Sequence, residues 1–209
     1  MAATLKDVAS ATGLSTATIS KYINGIPVKE QNKITIDKVI AELDFHINDI
    51  ARGLKTNRTR TIGVLIPELE NIFSTAIVSS IEDVLMLHGY STILCDYKSN
   101  PKLEAEKAVF LINKMVDGII TMPYYADGGY IKKLINKEIP IVLIDRMIDG
   151  VECDSVLVDN LNASYSAVEQ LIKKGHKRIG IICGPKNIYT TKERLKGYIR
   201  VQEDYAILV

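Results

Sequence analysis

In "LSTATISKYIN", residues 14–24, a run of short polar side chains ends on one lysine. Ser15, Thr16, Ala17 and Ser20 offer hydroxyls and a methyl group, and Lys21 offers a mobile charge. Such groups can meet base edges, touch a thymine methyl or hold a phosphate. Their small size carries as much information as their polarity. A helix start with short side chains suits a partner surface that comes within hydrogen-bond distance of the backbone. Thr16, Ala17 and Ser20 present little bulk there, and Lys21, one turn on, reaches a guanine edge or a phosphate. Ile19 and Ile23 face the other way, toward a core. A lone Ser-X-X-Thr is also how many ordinary helices are capped, so the surrounding elements decide the reading.

Those elements are helical from Leu5 to about Phe45. Leu5, Val8, Ala9 and Thr12 recur at helical spacing, with Thr4 and Asp7 as a capping box. Gly13 ends that helix, because the left-handed conformation a helix stop needs is cheap for Gly. Ser15 caps a second short helix that runs to Asn24-Gly25, and Pro27 marks a loop. A third helix follows, with Ile36, Val39, Ile40 and Leu43 on one face. Two short helices joined by "TGLS" match the helix-turn-helix pattern, whose second helix enters the DNA major groove.

After "LKTNRTRT" the period changes. "TIGVLIPE", "STILCDY", "VDGIITMP", "IPIVLIDR", "SVLVDN" and "RIGIICGP" are β-branched runs. Helix-forming stretches at about 73–88, 101–115, 127–137, 160–174 and 190–205 alternate with them. Strands apolar on both faces that alternate with helices predict a parallel sheet covered on both sides. The expected fold is an all-α helix-turn-helix headpiece over 1–46, a hinge or linker over 47–60, and an α/β parallel-sheet lobe over 61–209. The linker carries Arg52, Lys55, Arg58 and Arg60 against a single acid, Asp49.

Composition narrows the classes. The chain of 209 residues has a formal net charge of +1, which leaves room for local asymmetry. No apolar run approaches the roughly 18 residues of a membrane span, and the amino terminus lacks a secretion-signal layout. Cys95, Cys153 and Cys183 lie far apart in apolar runs without metal-ligand spacing, and read as buried free thiols in a reducing cytoplasm. His46, His88 and His176 lie in separate regions, and no nucleophile elbow is present. Asp145 and Asp149 share one loop, with nothing to tune them apart as an acid/base pair. "CGPKN" lacks the glycine spacing and the Gly-Lys-Ser/Thr ending of a phosphate loop. The sequence predicts no enzyme, no metal and no cofactor.

"TLKDVASATGLSTATISKYING" followed by "ARGLKTNRTRTIGVLIPE" resembles the LacI family of bacterial transcription regulators, and "DGIITMP", "IPIVLIDR", "VDN", "GHKRIGIICGP" and "RLKGY" continue the likeness along the chain. The resemblance implies a headpiece, a hinge helix and a body similar to periplasmic sugar-binding proteins. It places Thr16, Ala17 and Lys21 on base-reading positions, and Ser15, Ser20 and Asn24 near backbone contacts. Leu54 falls on the hinge leucine that wedges into the minor groove, with Arg52 and Lys55 beside it. Two departures stand out in the hinge: Ile47 replaces a common Pro, and Gly53 replaces a Ser or similar residue. Gly inside a helix costs about 0.5–1 kcal/mol relative to Ala, so the hinge helix is expected to order only on DNA. In the third helix, Asp37 stands where an apolar residue is common, and Ile34 where a charge is common.

Ligands of parallel sheets sit at the carboxyl ends of the strands. These ends are "PELENIF", "DYKSN", "MPYYAD", "DRMIDG", "VDN" and "GPKNIYTTKER". The resemblance implies a small effector, commonly a sugar or a nucleobase and here expected to be a sugar or sugar derivative, met by Phe73, Asp145 and Arg194, with Asn71 and Thr190 as weaker candidates. It further implies a cytoplasmic, nucleoid-associated homodimeric repressor on a palindromic double-stranded operator. The last helix is expected to close the first lobe, with the second lobe missing, an unpaired sheet edge and an exposed apolar face. The competing readings are a cytoplasmic sugar-binding protein, an α/β enzyme with an appended helical domain, and a non-functional truncated regulator.

Overall fold

The computed structural model of the chain describes residues 3–46, 53, 58–124, 129–148 and 150–206. It contains two compact units, one holding the first three helices and the other running from the sheet onward. In the first, α1 spans Leu5–Thr12, α2 Thr16–Ile23 and α3 Glu30–Glu42. Both halves of the capping box form. The Thr4 N–H donates to Asp7 Oδ2 at 2.8 Å, and the Asp7 N–H donates to Thr4 Oγ1 at 3.4 Å. Gly13 takes φ 69° and ends α1 as expected. Val8, Ile19 and Ile36, one from each helix, are fully shielded and form the centre of the small core. The Tyr22 hydroxyl donates to Asp37, tying α2 to α3. Asp37 thus replaces an apolar contact with a polar one, and that hydrogen bond raises the Tyr22 pKa. Ile34 remains 59% exposed, and nothing in the structure explains it.

The second unit begins with β1 (Thr61–Ile66), α4 (Ile72–Leu87), β2 (Ser91–Asp96), α5 (Pro101–Asn113) and β3 (Gly118–Thr121). It continues with α6 (Gly129–Ile135), β4 (Ile141–Ile144), β5 (Asp154–Val156), α7 (Asn160–Lys173) and α8 (Tyr189–Asp204). The strands form one parallel sheet in the order β2-β1-β3-β4-β5. Alternate residues of β1, flanked by β2 and β3, serve opposite faces. Leu65 joins Tyr97, Leu111, Ile119 and Leu143 in the larger core. Val64 and Ile66 meet Met122 and the α4 residues Ile77, Val78 and Ile81 on the other side. The open edges are less covered, and all three residues of β5 are exposed. Asp117, in the turn before β3, accepts from the N–H groups of Thr59 (2.7 Å) and Arg60 (3.0 Å). It therefore fixes the chain where it enters β1.

Three expectations need correction. "RIGIICGP" forms no strand, although the other five runs do. A parallel strand needs a neighbour for its N–H and C=O groups, and among the described residues no strand pairs with this stretch. Ile179 and Ile181 instead pack on the α7–α8 pair, while Ile182 is fully exposed. Cys183, in the same stretch, is exposed, so of the three free thiols only Cys95 is buried outright. Burial raises the Cys95 and Cys153 thiol pKa values. Finally, α8 does not close the sheet lobe. It packs chiefly on α7 around Val168, Tyr198 and Val201, a core separate from those of the sheet. Gly197 makes that crossing possible: a Cβ there would lie 2.1 Å from the Leu161 carbonyl oxygen.

Candidate DNA-reading face and candidate effector site

The α2 helix buries Ile19, half-buries Thr18, Ser20, Tyr22 and Ile23, and presents the rest. Ile19 is fully shielded, while Thr16, Ala17 and Lys21 are exposed. Ser15 is the N-cap: Thr18 N donates to its Oγ at 3.2 Å, and the two hydroxyls lie 2.9 Å apart. Asn24 closes the helix by donating Nδ2 to the Ser20 carbonyl at 2.7 Å. Ser15 and Asn24 are thereby committed to the helix ends and remain exposed, and Ser20 is half-buried. The exposed row leads from the positive end of the α2 dipole, which favours a negatively charged backbone. The assignments to Arg52, Leu54 and Lys55 lie outside the described residues.

In the body, Asn71 caps α4, accepting from the N–H groups of Phe73 (2.9 Å) and Ser74 (3.4 Å). Phe73 is 49% exposed in the first turn of α4. Asp145, just past β4, has φ 66°, and its N–H donates to the Val156 carbonyl at 2.9 Å. Its carboxylate lies 3.7 Å from Arg146 Nε. Thr190 is buried in the first turn of α8, and Arg194, one turn on, donates Nε to the buried Asn160 Oδ1 at 2.7 Å. Thr190 and Arg194 therefore share one face of α8. Asn71 and Phe73 sit at the start of α4. Chemically, Asp145 can accept two hydroxyls and Arg194 is a planar multi-donor fork.

A cavity of about 290 Å³ opens beside these residues but is lined by others. Pro123 and Tyr124 come from the end of β3, Arg146 from the end of β4, and Lys192 and Lys196 from α8. The wall is built on a buried carboxylate. Glu104 of α5 accepts from Tyr124 N (3.2 Å) and from the Tyr130 hydroxyl (2.7 Å). Tyr130 also lies 3.2 Å from the Thr121 hydroxyl. Burial, reinforced by the charge of Glu104, pushes the Tyr130 pKa well above its ordinary value. Tyr97 is raised for the same two reasons, and its hydroxyl donates to the Met122 carbonyl at 2.7 Å. The Arg146 guanidinium carbon lies 5.8 Å from the Tyr124 ring centroid, and Nη1 donates to the Pro123 carbonyl at 3.0 Å. Sequence reasoning passed over Glu104, Tyr124, Tyr130, Arg146, Lys192 and Lys196. "DR" after β4 and the i, i+4 lysines were the available signals for the cations. Nothing local marks Glu104, whose partners lie beyond the next strand.

A helix-turn-helix unit on a parallel-sheet body defines the class: a regulator-type headpiece fused to a periplasmic-binding-protein-like domain. The profile of "Bacterial regulatory proteins, lacI family" matches residues 4–48. That of "Periplasmic binding proteins and sugar binding domain of LacI family" matches residues 59–205. The chain belongs to the LacI family. It is 37% identical to the HTH-type transcriptional regulator RegA of Clostridium saccharobutylicum, covering 100% of this chain and 64% of RegA. A transcriptional regulator CelR–cellobiose complex matches with TM-score 0.64 at 26% identity, over 99% of this chain and 63% of that one. The lac repressor dimer bound to operator shares the fold, with TM-score 0.86 at 23% identity over 100% of this chain and 64% of that one. The chain thus spans less than two thirds of the length of the relatives it matches.

Proposed function

We propose that the chain is a sequence-specific DNA-binding transcription regulator, a repressor whose operator affinity is controlled by a small-molecule effector. The observation that carries this is the exposed row Thr16, Ala17 and Lys21 on a helix anchored by the shielded Ile19. In this reading residues 1–46 read DNA, 47–60 form the hinge with Arg52, Leu54 and Lys55 on the duplex, and 61–209 serve the effector. Asp145, Thr190 and Arg194 take the effector's polar groups, with Asn71 and Phe73 as further contacts. A sugar fits the sugar-binding profile matched over the body and the cellobiose bound by CelR.

The partner is a second copy of the chain on a palindromic operator, in the cytoplasm at the nucleoid. An exposed stripe on α4 supports it: Val84 and Leu87 are 55% and 81% exposed, with the small exposed residues Ser80 and Ala76 one and two turns before Val84. Such a face suits close helix-to-helix contact between copies.

The test is selection of binding sites from random duplex DNA by the purified chain, followed by affinity measurement on the selected and a scrambled site. A symmetric consensus is expected, with Lys21→Ala costing about 1–3 kcal/mol on the consensus and less on the scrambled site. Equal loss on both would remove base reading, and no enrichment would favour a sugar-binding protein without DNA affinity.

A further inference from the structure

Asn24-Gly25 is the one Asn-Gly pair in the sequence, and it stands exposed where α2 stops. Two backbone hydrogen bonds build the stop. Ile26 N donates to the Lys21 carbonyl at 2.9 Å, and Gly25 N donates to the Tyr22 carbonyl at 3.0 Å. Such a stop needs a left-handed residue after the cap, and Gly25 supplies it at φ 71°. Among the described residues beyond its chain neighbours, nothing lies within 4 Å of where a Gly25 side chain would begin. A glycine nitrogen is the least hindered backbone nucleophile, and this one directly follows an asparagine. We propose that Asn24-Gly25 is a self-modification site: it deamidates through a succinimide when the α2 stop opens, and so ages the DNA-reading helix into a weaker binder.

The chemistry needs only water. Gly25 N, after losing its proton to hydroxide, attacks Asn24 Cγ. The new N–Cγ bond closes the ring, and the side-chain nitrogen leaves as ammonia with a proton taken from water. A water molecule then opens the ring at either carbonyl and leaves aspartate or isoaspartate at position 24. One water is consumed for each ammonia released, and nothing is oxidised or reduced. The folded helix end withholds both reactants. The Gly25 N–H is spent on Tyr22, and Asn24 Nδ2 is held on the Ser20 carbonyl at 2.7 Å. With ψ 12°, Asn24 also turns the Gly25 nitrogen away from its own side chain. Reaction therefore waits on local opening of the helix end, which costs less than unfolding the headpiece.

A carboxylate at position 24 opposes what α2 offers. It adds negative charge at the negative end of the helix dipole. It stands three residues after Lys21, the one cation of α2, where helix-surface side chains pair. It also repels a phosphate backbone. Isoaspartate further reroutes the main chain through the former side chain, which breaks the spacing behind the Ile26–Lys21 bond. The loss of affinity rests on the DNA-reading proposal, whereas the ring chemistry does not. DNA seated on α2 holds the stop closed and slows the reaction.

The experiment incubates the full 209-residue chain in mildly alkaline buffer, with and without a duplex carrying the selected site. Tryptic mass mapping follows the peptide Tyr22–Lys29, whose single asparagine is Asn24. Aspartyl and isoaspartyl forms should accumulate there ahead of every other asparagine peptide. The rate should fall about tenfold below that of the free synthetic peptide, as for a helix end that opens locally. It should approach the free rate in Ile19→Ala and drop further with the duplex bound. Asn24→Asp, the aspartyl product made directly, should bind the selected site about tenfold more weakly, with a smaller loss in a Lys21→Ala background. Circular dichroism checks its fold, and the aged chain separated by ion exchange gives the same comparison without a substitution. No excess of reaction at Asn24 over the other asparagines would overturn the site, and equal rates in the folded chain and the free peptide would overturn its gating. Undiminished affinity in the aged chain would overturn the weakening of the helix. A chain that selects no DNA would sink the DNA-reading proposal and leave the mass kinetics to decide the site.

Discussion

On α2, the side chains offered to DNA fall between Ser15 and Asn24, and a single helix orients all of them. The cavity in the body is assembled from the ends of two strands and one turn-rich face of α8, with residues from Pro123 to Lys196. The first arrangement needs one small core to hold one helix. The second needs the sheet register, the Glu104 anchor and the α7–α8 pair all at once. Damage should therefore separate cleanly: headpiece lesions should abolish DNA binding with the body intact, and body lesions should do the reverse.

The largest effect is expected from Ile19→Ala. Ile19 is fully shielded between Val8 and Ile36, and truncating a buried Ile costs about 2–5 kcal/mol. A three-helix unit with five buried core residues has little reserve against that loss. The headpiece should melt at room temperature and DNA affinity should vanish, while near-ultraviolet signals from the body tyrosines persist. If DNA affinity survived, α2 would not depend on this core.

Gly197→Ala is the matching lesion in the body. The added methyl would sit 2.1 Å from the Leu161 carbonyl and 3.0 Å from the Tyr165 amide, so α8 must move off α7. Overpacking of this kind costs about 1–3 kcal/mol. The body should melt earlier, with affinity for nonspecific DNA unchanged. A smaller loss, about 1 kcal/mol, is expected for Tyr130→Phe, which removes the hydroxyl donated to the buried Glu104. Body stability measured by urea melts should fall, and a rise would mean that Glu104 is better satisfied without Tyr130.

The contrast also explains what could be read without coordinates. Thr4, Asp7, Gly13 and Ser15 act within three residues of their partners, and each was legible in place. So were β1 to β5, because their apolar runs and the turns before them are local. "RIGIICGP" carries the same local signal, yet pairing depends on a neighbour that no local pattern reports. Thr190 and Arg194 follow from family spacing, but the lining of the cavity turns on which face of α8 meets the loops after β3 and β4. Glu104 is the extreme case: its partners, Tyr124 and Tyr130, follow a strand it does not belong to.

The smallest expected effect tests the most local device. Asp7 accepts from the Thr4 hydroxyl at 2.7 Å and from the Thr4 N–H at 2.8 Å, and these two bonds, the hydroxyl first, hold its carboxyl below the ordinary value of 3.8. In the unfolded chain Asp7 takes up its proton near that ordinary value, and in the folded headpiece only at lower pH. Its contribution is therefore complete above 3.8 and is lost as pH falls through the lowered folded value. The headpiece Tm should be flat near neutrality and decline on acidification below about pH 4, where carboxylates titrate. Asp7→Asn should flatten part of that decline at the cost of a slightly lower plateau. Because Asp7 is exposed and capping acts only on α1, the body transition should show no difference between the two chains. If Asp7→Asn left the acid limb unchanged, the box would be a geometric feature of the α1 start with no share in headpiece stability.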